Sequence, residues 1–296
     1  MQPVIQPALV HFHDVVSADG TTLRAWGNDG DGPQVVISNG LGTNPYAWPT
    51  ILQPDSGLRA VGWNHRGIGG SERPASGRID VEAHLDDLVA VMDDAGMERP
   101  VIVAWSIGVN VAFEFAVRHP ERVAGILAVA GVPGSTFSTM LEPWKVPPPV
   151  AEQIMVNLAR VTTVTGHGLA PFTSRIPWTR FSVNLLKMAG LFSSEADSAV
   201  LQSVVQEFCT SHPAWYAHLA LEAARHDRVS LSQVTVPTTL IAGTKDLLAG
   251  PGAMRSAAER IPGARYRIVE GTHFIPVERP DVVLDELRRL IERVRE

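Results

Sequence analysis

Five largely apolar runs, separated by stretches of helical periodicity, constrain this chain more than any other feature. They are Gln34 to Ser38, Leu58 to Trp63, Val101 to Trp105, Val123 to Ala130 and Thr238 to Gly243. Strands of this kind are covered on both faces, so they lack the polar alternation of a strand with one wet side. Between them lie amphipathic stretches. Ile79-Asp80 opens a helix through Leu85, Leu88, Val89 and Met92 that Gly96 stops, Val109 to Arg118 reads as a second, and Gly252 to Arg260 as another. This alternation predicts an α/β fold, a mostly parallel sheet with helices on both faces and ligands outside the carboxyl ends of the strands.

Upstream, Val10 to Val16 and Thr21 to Trp26 alternate around Asp19-Gly20 and predict an antiparallel hairpin. Tyr46 to Leu52 reads as a short helix. Arg265 to Val269 supplies a further strand, and a last helix begins at Pro280. From Pro133 the alternation stops. Residues 134–230 hold Pro147-Pro148-Pro149, helical stretches at Ile154 to Val164 and Phe181 to Leu191, and no convincing strand. The expected organisation is a core of residues 1–133 and 231–296 with a helical insertion at 134–230 lying over the sheet edge. Trp144, Trp178, Trp215, Phe172, Phe181, Phe192 and Phe208 are spread through the insertion and either line a pocket or fasten it to the core.

The net charge of −6 opposes a nucleic-acid surface, and the arginines after Arg288 have the spacing of a solvated helix face. Cys209 is the only cysteine, so no internal disulfide forms, and no Cys/His cluster has zinc spacing. Met1 to Pro7 lacks the basic start and apolar run of a leader, and no segment approaches the ~18 apolar residues of a membrane span. A cytoplasmic protein with no cofactor, metal, nucleic-acid or membrane partner is expected.

The chemistry centres on Ala104-Trp105-Ser106-Ile107-Gly108, where a buried strand turns abruptly into a helix. Such a turn strains the middle residue and requires small neighbours two places away on either side. A serine there stands exposed at a helix amino end. Its hydroxyl is a poor nucleophile at neutral pH and needs a base, and the base needs a carboxylate to fix its tautomer. His273 and Asp246 each follow the end of a strand, on the same edge as Ser106. Asn39-Gly40-Leu41-Gly42 follows the Gln34 to Ser38 strand, and Asn64-His65-Arg66-Gly67-Ile68-Gly69-Gly70 follows the next. The second loop lacks the spacing of a phosphate-binding loop.

With a serine elbow, the order Ser–Asp–His and a helical insertion after the sixth strand, the chain resembles the α/β-hydrolases over nearly its whole length. The resemblance implies a mostly parallel eight-stranded sheet. It also implies Ser106 as nucleophile, His273 as general base and then acid, and Asp246 as its orienting partner. The oxyanion would be held by the backbone N–H groups of Leu41 and Ile107. Trp105, Asn39 and Phe274 are the candidate substrate-pocket residues. Three positions depart from the common family pattern: Ala104 replaces a glycine, Asn39 the histidine of a His-Gly pair, and Asn64 the carboxylate of an Asp-x-Arg-Gly loop.

The expected activity is cleavage of a small-molecule carboxylic ester with an apolar portion, through an acyl-serine. Thioester, lactone or carbon–carbon bond hydrolysis and cofactor-free perhydrolysis use the same triad in relatives. Epoxide hydrolases and dehalogenases carry aspartate at the elbow. A receptor-like protein that binds a small molecule with little turnover is the alternative from another class.

Overall fold

The computed structural model describes residues 10–226 and 230–295. The expectation for Met1 to Pro7 and residues 227–229 of the insertion boundary lie outside the described residues. Eight strands, β1 (His11–Val16), β2 (Thr22–Gly27), β3 (Gln34–Ser38), β4 (Arg59–Trp63), β5 (Val101–Trp105), β6 (Gly125–Val129), β7 (Thr238–Gly243) and β8 (Arg265–Val269), form one sheet in the order β1-β2-β4-β3-β5-β6-β7-β8. The hairpin β1–β2 and its junction with β4 are antiparallel, and every other pairing is parallel. Ser38 pairs with Ala104, Trp105 with Val129 and Gly243 with Val269. These registers bring the ends of β3, β5, β6, β7 and β8 to one edge.

Alternate residues explain the apolar runs. Ile37, Val103, Leu127 and Ile241 join one core layer with Leu287 and Leu290. Val36, Ile102, Ile126 and Leu240 join the other with Leu88, Phe113 and Met254. Both faces of these central strands are therefore dry, and polar alternation has no place there. The helices α1 (Val81–Asp94), capped by the Asp80 carboxylate on the Ala83 amide, and α2 (Gly108–Arg118) follow the predicted pattern.

The insertion after β6 contains α3 (Pro148–Thr173), α4 (Arg180–Met188), α5 (Ser198–Phe208) and α6 (Pro213–Ala224). Pro148 and Pro149 open α3, where a missing N–H costs nothing, and the helix runs well beyond the expected Ile154 to Val164. The core resumes with β7, α7 (Pro251–Arg260), β8, the single turn α8 (Ile275–Glu278) and α9 (Pro280–Arg295). One expected element is corrected: Tyr46 to Leu52 is a 3-10 turn at Pro45–Ala47 followed by further turns. Pro49 has no N–H to give and disfavours helical backbone at Trp48. No described helix is long and apolar enough to cross a membrane.

Candidate active site

Ser106 has φ +56°, a left-handed conformation that a non-glycine residue keeps only where the surroundings impose it. They do so from three sides. The Ser106 amide donates to the Val129 carbonyl at 3.0 Å. A Cβ on Gly108 would lie 2.0 Å from the Ser38 carbonyl oxygen, and one on Gly131, just past β6, would lie 2.4 Å from the Ser106 oxygen. Glycine at 108 and 131 thus lets α2 and the β6 loop close on the elbow. Ala104 is fully buried and fits where the family pattern has glycine.

His273 Nε2 is 2.8 Å from Ser106 Oγ, and His273 Nδ1 is 3.0 Å from each Asp246 carboxylate oxygen. Asp246 is fully buried, and its Oδ1 also accepts the amides of Leu248 and Ala249, each at 2.8 Å. A carboxylate held by amides and an imidazole is solvated by the protein in place of water. The Trp105 indole donates to the His273 carbonyl at 3.0 Å, tying the elbow strand to the histidine loop. Three segments apart in sequence, carrying Ser106, Asp246 and His273, thereby meet at the sheet edge.

Gly40 lies against this group, for a Cβ there would be 3.3 Å from the Trp105 ring and 3.4 Å from Ser106 Cβ. Leu41 and Ile107 line the adjoining cavity, and neither backbone amide has an acceptor among the described residues. Trp105 and Phe274 line it. Asn39 does not: it is buried beneath the loop, where its Oδ1 accepts the Trp48 indole at 3.0 Å, and Trp48 stacks edge-on against Trp105. Asn39 therefore supports the wall, because its side chain alternates away from the cavity at the end of β3.

The cavity has a volume of about 390 Å³. Trp178, Phe192 and Phe208 from the insertion line it, together with Met140, Cys209 and Tyr216, which sequence reasoning did not place there. Burial pushes the Tyr216 phenol up to about 12. Trp144, Phe172 and Phe181 instead point outward, and the Trp215 indole donates to the Arg66 carbonyl at 2.7 Å. No Lys, Arg, Asp or Glu lines the cavity among the described residues. No described group of three or more His, Cys, Asp or Glu side chains is placed to hold a metal.

The Asn64-His65-Arg66-Gly67 loop is structural in its contacts. Asn64 accepts the Trp26 indole and donates to the Gly69 carbonyl. Arg66, fully buried, meets both oxygens of Asp87 and one of Asp19. Trp215 covers Gly67, whose Cβ would meet the indole at 2.3 Å.

A family model described as the alpha/beta hydrolase fold matches residues 33–280. The chain is 27% identical over 305 residues to epoxide hydrolase A of Mycobacterium tuberculosis, covering 91% of this chain and 94% of that one. Among solved structures, it superposes on an enol-lactonase of Burkholderia xenovorans with a TM-score of 0.70 at 23% identity, covering 95% of this chain and all of the other. A thermophilic esterase of Thermogutta terrifontis gives 0.69 at 19% identity, with 96% and 99% covered. At such identities the two structures show a common fold.

Proposed function

As a member of the alpha/beta hydrolase fold family the chain is a hydrolase, and we propose that it cleaves uncharged carboxylic esters through an acyl-Ser106 intermediate. The observation that carries this reading is the Ser106–His273–Asp246 hydrogen-bond relay at the wall of an apolar cavity. His273 Nε2 takes the hydroxyl proton as Ser106 Oγ adds to the ester carbonyl. The negative oxygen that forms is held by the Leu41 and Ile107 amides. Collapse breaks the bond to the alcohol oxygen, which leaves with the proton from His273. Water then adds to the acyl-serine, giving its proton to His273, and the carboxylic acid departs as the serine recovers its hydrogen. Asp246 keeps the imidazole in the tautomer with hydrogen on Nδ1 and stabilises the imidazolium. Removing one oxyanion donor typically costs ~10²–10³ in rate.

A serine at the elbow separates this site from the carboxylate nucleophile of epoxide hydrolases. The uncharged cavity wall favours a neutral acyl or alcohol group, since a substrate carboxylate would lose its water and find no cation. Ser106→Ala is expected to keep the far-ultraviolet circular dichroism of the parent while p-nitrophenyl butyrate hydrolysis falls by ~10⁴-fold or more. Undiminished turnover would overturn the acyl-serine route. An unreactive Ser106 towards a fluorophosphonate probe would favour a binding protein instead. A hemisuccinate ester should react more slowly than the butyrate, by roughly 2 kcal/mol or more in kcat/KM. Thioesters and lactones screened beside these esters sort the remaining acyl groups.

A further inference from the structure

α3 packs on α6 through small residues. Ala151, Ala159 and Gly166 are its buried positions, and a Cβ on Gly166 would lie 2.5 Å from the Ala214 nitrogen. Its large apolar residues point the opposite way. Val150, Ile154, Leu158, Val161 and Phe172 recur at helical spacing along one exposed face, with Phe172 72% accessible. In α4, Val183 is buried while Phe181, Leu185 and Met188 share the other face, Phe181 at 73% and Met188 at 83% accessible. An ordinary amphipathic helix buries its largest apolar side chains; these two helices expose them.

The same segment is basic in an acidic protein. Lys145, Arg160, Arg175, Arg180 and Lys187 face a single carboxylate, Glu152, between residues 145 and 191, whereas the whole chain carries −6. Lys145, Arg160, Arg175 and Arg180 are exposed and make no ion pair among the described residues. Trp144, immediately before the segment, is 65% accessible. Exposed bulky apolar residues flanked by unpaired cations match the interface of an anionic bilayer, in which apolar side chains enter the acyl boundary and cations meet phosphates. A symmetric contact with a second copy would instead oppose like charges.

We infer that the outer face of α3 and α4 docks on the surface of an anionic phospholipid bilayer. The expectation of no membrane partner rested on the lack of a spanning segment, and an in-plane face needs none. The face reaches the cavity: Leu191, just after α4, is 53% accessible and also lines the cavity wall. Docking does not depend on the ester-cleavage reading.

The test is co-sedimentation of full-length Ser106→Ala protein, in which acyl transfer cannot consume the lipid, with vesicles of phosphatidylglycerol and phosphatidylcholine or of phosphatidylcholine alone. Binding to the anionic vesicles, weakened by salt, is expected. The combined variant V161S/F172S/F181S/M188S and, separately, R160Q/R175Q/R180Q should each lose it by about ten-fold or more. In the Ser106-containing protein both variants should hydrolyse soluble p-nitrophenyl butyrate at the parental rate. If the apolar variant does not fold, the arginine variant alone decides. No sedimentation with anionic vesicles overturns the inference. So does light scattering that finds a parental dimer which the apolar variant converts to a monomer, because a second copy then covers the face.

Discussion

His273 and His65 stand at the same sheet edge, each a few residues past a strand, and each is buried beside a carboxylate. Their surroundings divide them. Both ring nitrogens of His273 are engaged, one by Asp246 and the other by Ser106 at the cavity wall. His65 Nδ1 has no hydrogen-bond partner among the described residues, and the ring lies edge-on to His84, 5.3 Å between centroids. The nearby Asp87 is already committed, since the Arg66 guanidinium bonds both its oxygens at 2.6–3.1 Å. The guanidinium-bound Asp87 meets the neighbouring His84 imidazole only at 3.7 Å, beyond hydrogen-bond reach, whereas Asp246, held by backbone amides, keeps an acceptor 3.0 Å from His273. The pairing history of the carboxylate, rather than burial, distinguishes a site that can pass protons from one that holds a loop.

The sharpest way to break this contrast is to alter the carboxylates. Asp246→Asn leaves the packing nearly unchanged but favours the wrong His273 tautomer, and kcat on p-nitrophenyl butyrate should fall by ~10⁴. A small loss would mean that Asp246 does not orient the base.

Arg66→Met should act on stability. It leaves Asp87 buried without its cation, and urea unfolding should show a loss of about 3–5 kcal/mol. The folded fraction should keep near-parental kcat. Burial raises the Asp19 and Asp87 carboxyls, but the nearby His84 imidazole at Asp87 and the Arg66 guanidinium bonded to both more than offset this and hold both below the usual carboxylate range. Their stabilisation is present above that range and is lost as pH falls through the lowered folded values.

The smallest effect belongs to His65. Burial first, and then the neighbouring His84, push its pKa down to about 3 despite the opposing pull of Asp87. The unfolded chain takes up this proton near 6.5 and the folded chain only near 3, so stability should decline as pH drops through that window. His65→Gln should flatten the decline in urea-unfolding free energy between pH 6.5 and 4.5. An unchanged slope would place the titration elsewhere.

Much of the fold was legible because two dry faces on one sheet force apolar runs, and crossover helices separate them. The elbow was legible for a related reason: a tight strand-to-helix turn restricts its neighbours to small residues, and Ala104 and Gly108 carry that restriction in the sequence. The Tyr46 to Leu52 helix failed because a single proline decides locally against an apolar pattern. Asn39 was misplaced because its loop position was visible but its side-chain direction, set by Trp48, was not. Trp144, Phe172 and Phe181 illustrate the same limit, since composition treats them alike with Trp178 and Phe208 although only the last two line the cavity.

By itself the sequence determined the layered α/β architecture, the order of its elements and the three residues at strand ends, all of which follow from local periodicity and steric rules. Tertiary structure alone decided which side chains face the cavity, which carboxylate is free to meet a histidine, and which apolar residues of the insertion are left outside. Those outcomes depend on contacts between separate segments of the chain, some of them far apart, such as Trp105 with His273 and Trp215 with Arg66. No local pattern encodes the direction in which a helix face will turn once α3 has packed its small residues against α6.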